Sequence, residues 1–117
     1  GAYVRGVARL DLVEAAMPAA DLGEAAIERR TARYLGQGVA QVTPFYRLER
    51  DGAFAEGDPR GGAFAVQRLG AGAGELRDLI VLAWRESAGA RIGWPAVAVA
   101  EVEAGTADPW DALIGTD

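Results

Sequence analysis

Glu101 and Glu103, with Arg5, Arg9 and Arg47, are the side chains with which this sequence could do chemistry. Carboxylates two residues apart share one face of a strand, where one can serve as acid and the other as base. The same spacing also describes an ordinary solvated face. Arginines on strands of one sheet could converge on a developing anion and stabilise it without any nucleophile. That would suit an isomerase, a mutase or a cyclase.

Other chemistries lack their parts. The chain has no Cys, His, Lys or Asn, and Ser87 is its only serine. Without imidazole or thiolate there is no disulfide, no soft metal site and no histidine to activate Ser87. No D-x-D-x-D loop is present to hold Mg²⁺ or Ca²⁺. Gly70-Ala71-Gly72-Ala73-Gly74-Glu75 sits where a dinucleotide fingerprint would, but its third glycine position is Glu75. No metal and no nucleotide cofactor is therefore expected.

The formal net charge is −5, which speaks against nucleic acid as a partner. All 12 basic residues are Arg, a bias that GC-rich coding produces without functional selection. The longest strongly apolar run, Leu79 to Ala83, is too short to cross a bilayer, and no segment resembles a signal peptide. A cytoplasmic, cysteine-free protein is expected, without membrane partners.

The elements that must position these side chains follow from periodicity. At 117 residues the chain is expected to be one domain, 1–117. Alternation over residues 3–12 predicts a first strand, and Asp21 with Glu24 has capping-box spacing for a helix through about Leu35. Gly36 and Gly38 would end that helix. A second strand begins at Val39, with Pro44 placing it at a sheet edge. Gly52-Ala53-Phe54-Ala55 and Gly62-Ala63-Phe64-Ala65 then read as two arms of a hairpin. Asp58-Pro59-Arg60-Gly61 would be its turn, with Gly61 at positive φ. A helix over Glu75–Ser87 has apolar residues at i, i+3, i+4, i+7 and i+8. Residues 92–103 alternate as a last strand, and Asp108-Pro109 opens a short final helix.

That order is the α+β, ferredoxin-like βαββαβ sandwich: a four-stranded antiparallel sheet with two helices on one face. Its uncovered face would carry Tyr3, Val7, Phe45, Val97 and Val99, with Trp110 from the terminal helix nearby. These six are the candidate interface residues. Arg5, Arg9, Arg47, Glu101 and Glu103 share that face as candidate ligand-binding residues. The function expected is a non-enzymatic interaction or assembly module that self-associates or docks another protein. The alternative is a small-ligand domain or an electrostatic Arg/Glu isomerase, mutase or cyclase. No motif ties the chain to a known family.

Overall fold

Alanine, the strongest helix former, supplies 25 of the 117 residues, and helix is what the chain chiefly builds. The computed structural model describes residues 2–94 and 96–114, without the side chains of Ala2, Arg5 and Ala112. In chain order the elements are α1 (Ala2–Val7), α2 (Leu10–Ala15), α3 (Ile27–Ala40), α4 (Val42–Arg50) and α5 (Pro59–Ser87). Then follow β1 (Arg91–Ile92), β2 (Val97–Ala98), α6 (Val99–Glu103) and α7 (Pro109–Ile114). Among the described residues helix predominates and the sheet is two-stranded. The ferredoxin-like sandwich is therefore corrected to a mainly helical fold.

Each expected strand yields for an identifiable reason. Residues 3–12 alternate, yet Val4, Val7 and Ala8 also satisfy i, i+3, i+4, and the segment forms α1 and the start of α2. Pro44 is the third residue of α4, where a helix has no internal partner for the missing N–H. Asp58-Pro59-Arg60-Gly61 is a helix start instead of a hairpin turn. The Asp58 carboxylate accepts the Arg60 N–H at 2.9 Å and Pro59 opens α5, so the two GAFA segments are not paired arms. Gly61 is helical and buried; the positive φ angles in this region belong to Gly52 (73°) and Gly57 (86°). Of the described residues in the expected last strand, Ile92, Val97 and Ala98 are paired in strands. Ile92 pairs antiparallel with Val97 and Arg91 with Ala98, after which the chain turns into α6. The final helix does begin at Asp108, whose carboxylate accepts the Trp110 N–H at 2.8 Å.

The chain comprises two compact units, Gly1–Leu79 and Ile80–Asp117, and the division falls within α5. In the first unit, neighbouring backbone comes very close to α5 because glycines line the approach. A Cβ on Gly70 would stand 2.7 Å from the Ala16 carbonyl carbon, and one on Gly74 would stand 2.8 Å from Pro18 Cδ. Phe54 gathers the aromatic rings of the same unit. Tyr3 meets it edge-on at 5.8 Å between centroids, Phe64 lies at 6.3 Å and Phe45 at 5.2 Å. In the second unit, the Glu101 carboxylate accepts the Ala98 N–H at 2.8 Å and holds the start of α6. Among the described residues, no helix is long and apolar enough to cross a membrane.

Two glycines on different helices separate close approach from mere helix propensity. Gly70→Ala should destabilise by about 1–3 kcal/mol, the cost of forcing extra volume into a packed contact. Gly36→Ala, with nothing within 4 Å of its added Cβ, should stabilise by about 0.5–1 kcal/mol. Urea unfolding of the two variants checks the opposite signs.

Candidate functional site

Arg30 is the largest fully buried side chain described, at 1% exposure. It sits in the first turns of α3 and points its guanidinium at α5. Nε and Nη2 donate to the two Glu75 carboxylate oxygens at 3.0 and 2.9 Å, a bidentate pair. Nη1 donates to the Asp21 carbonyl at 2.6 Å and to the Glu24 carbonyl at 3.3 Å. Nη2 also reaches Asp78, itself buried, at 3.4 Å. Asp78 accepts the Asp21 N–H at 2.9 Å and Arg77 Nε at 2.9 Å. Arg33 pairs with Asp21 at 2.8 Å, and Arg29 with Glu24 at 2.7 Å. One cation group thus ties α3, α5 and the segment between α2 and α3 together.

The protonation states follow these contacts. Hydrogen bonds from Arg29 and from the Ala26 N–H lower the Glu24 pKa to about 2. Hydrogen bonding to Glu75 raises Arg30 above its already high value, against the cost of its burial. Burial pushes the Asp78 carboxyl up, but the Asp21 N–H, Arg77 and Arg30 outweigh it and leave it below the ordinary range. Four arginines face four carboxylates here, and the buried ones are mutually hydrogen-bonded. The cluster positions helices.

The same unit carries an open apolar cleft of about 1170 Å³, walled by Tyr3, Val7, Leu12, Phe54 and Val66, with Glu56 and Gln67 as polar members. The Tyr3 hydroxyl is buried against Gly61 and has no hydrogen-bond partner among the described residues. No family model, curated protein or solved structure matches the chain. What the site can do is therefore read from its own residues. Among those described, no group of three or more carboxylates is placed to hold a metal ion.

The sequence-derived candidates fall on several different elements. Tyr3 and Val7 belong to α1, half-buried at the cleft, and Phe45 belongs to α4 beside Phe54. Val97 lies in β2, Val99 opens α6, and Trp110 stands exposed in α7. Arg9 is exposed and paired with Asp11 at 3.0 Å. Arg47 is an exposed residue of α4, and the Arg5 side chain lies outside the described residues. Glu101 and Glu103 do not form a carboxylate pair on one face. Two residues apart on α6 they diverge by about 200°, the turn of an α-helix over two positions, and Glu101 is engaged as a cap. The Arg30 cluster escaped the sequence because its partners lie 45 and 48 residues away. The one local signal was a pair of acids, Glu75 and Asp78, on a helix otherwise read for its apolar stripe.

Removing Arg30 leaves Glu75 and Asp78 facing each other without their shared cation. Arg30→Met should lower the melting temperature by on the order of 10 °C or more, whereas Arg47→Met should leave it nearly unchanged; differential scanning calorimetry compares them. Glu24 and Asp78 are both lowered in the folded protein, so the unfolded chain takes up their protons first. Their stabilisation is complete above the unfolded carboxylate values and is lost as pH falls, for Glu24 between about 4.5 and about 2. Melting temperature should be level from pH 6 to 8, where no histidine titrates, and fall through that acid window. Glu24→Gln should flatten part of the fall.

Proposed function

We propose that this chain is a non-enzymatic interaction module that self-associates or docks a partner through apolar side chains on the outside of its helices. One observation carries this reading: what is inside and what is outside are reversed in size. Ala53 is the only apolar side chain fully buried among the described residues, accompanied by glycines and by the Arg30 cluster. Leu10 (75%), Val39 (72%) and Leu35 (60%) face outward, with many others like them. Soluble monomers seldom expose so much large apolar surface, whereas association surfaces do. The lack of His, Cys and Lys suits a role without covalent or acid–base chemistry. Freedom from cysteine suits the cytoplasm, where disulfides are rare.

Binding of a small apolar ligand is supported by the cleft at Tyr3, Val7 and Phe54. Its volume of about 1170 Å³ is somewhat above the usual range for such sites. The electrostatic-enzyme alternative draws no such support: Arg9 is paired with Asp11, and Glu101 is engaged as a cap on a helix that turns Glu103 away from it.

Sedimentation velocity at tens of micromolar should give a dimer or larger species, or else a monomer that binds a hydrophobic dye strongly. Leu35→Glu and Val39→Glu, one helical turn apart on α3, should weaken association by about tenfold together, as expected for charge placed in an apolar contact. A strict monomer that leaves the dye dark would overturn the proposal.

A further inference from the structure

We infer that the second unit, Ile80–Asp117, is the docking element of this module, and that its partner is a basic protein surface with apolar sockets. This rests on the function proposed above and names the partner's chemistry. All three tryptophans of the chain lie here, and all stand outside: Trp84 at 65%, Trp94 at 87% and Trp110 at 68% exposure. Trp94 follows Gly93 in the turn between β1 and β2, where Gly93 takes φ 77° and the ring stands clear of both strands' pairing. Trp84 shares a face of α5 with Ile80, one turn earlier; Trp110 is on α7 with Leu113 and Ile114, which are exposed as well. None of the described residues in this unit is buried. Tryptophan is the side chain most enriched among residues that dominate binding energy, because it removes a large apolar area from water and still donates one hydrogen bond.

Charge selects the partner. Residues 80–117 hold two arginines, Arg85 and Arg91, against six carboxylates, a net −4. Residues 1–79 hold ten arginines against eleven carboxylates, a net −1, so the charge of the chain is concentrated beside the tryptophans. Phosphate backbones and anionic lipid headgroups are repelled by that field. A second copy would bring a unit of −4 or a unit of −1 against it, neither of them complementary. A basic surface is attracted, and apolar sockets on it give the three indoles somewhere to go.

The intact protein can be tested by its own fluorescence, since every tryptophan reports on this unit alone. Three probes are used: a synthetic amphipathic Lys/Leu helix, its Glu/Leu counterpart of equal length, and phosphatidylcholine vesicles. The Lys/Leu peptide should shift the emission to the blue, with affinity falling about tenfold or more between 50 and 500 mM salt. Trp94→Ala, at an exposed turn where folding does not depend on it, should weaken binding about tenfold; Glu103→Gln with Asp111→Asn should weaken it at low salt only. The inference is overturned if the Glu/Leu peptide binds equally, if vesicles give the larger shift, or if the Lys/Leu peptide gives none. Sedimentation of the free protein separates the two levels. An oligomer whose emission is already blue-shifted and insensitive to all three probes sustains the association function while removing this partner.

Discussion

Arg30 is a single charged side chain placed where a small protein ordinarily keeps its largest apolar ones. Its planar guanidinium offers donors in fixed directions, and the acceptors it finds come from two parts of the chain: the Glu75 carboxylate on α5 and two carbonyls before α3. Apolar contacts tolerate sliding. A bidentate ion pair with two further carbonyls does not, so this group fixes the register of α3 against α5 more than it adds net stability. Everything that packs along α5 inherits that register, including the approach of Ala16 and Pro18 to Gly70 and Gly74.

Small residues at those approaches are the complement of the buried ion cluster. Backbones that nearly touch leave no room between them for leucine or isoleucine, so the large apolar side chains are displaced to outer faces of the helices. The aromatic group around Phe54 is the exception, and even its members remain only partly covered. The exposed surface is thus a consequence of how the inside is built, and the proposed associating role rests on packing and not on any recognisable motif.

The smaller part of the helix content was legible, and the topology was not. The apolar spacing over Glu75–Ser87 lies within α5, and Asp108-Pro109 starts α7 by the capping rule applied to it. The same dipeptide at Asp58-Pro59 obeys the same rule, but the repeated GAFA and the following glycine favoured a hairpin. Gly36 and Gly38, taken as helix stops, lie inside α3, because neighbouring residues carry the helix past an isolated glycine at modest cost. Asp21 and Glu24 do not form a capping box; they accept the Gly23 and Ala26 N–H groups ahead of a helix that begins at Ile27. Short alternating runs can satisfy strand and helix periods together, and periodicity alone does not choose between them. Of the candidate site residues, Tyr3 and Phe45 both meet Phe54, while Glu101 and Glu103 lost their shared face when a helix replaced the strand meant to align them.

The head group that Arg30 buries is chemically the cation of a common denaturant. Guanidinium at molar concentration competes for the Glu75 and Asp78 carboxylates with a group of identical shape, and its chloride screens the outer pairs at Asp21 and Glu24. Urea, uncharged, does neither. The protein is consequently more vulnerable to the salt than the usual roughly twofold difference in denaturing power would give. Its resistance to one agent is a poor guide to its resistance to the other.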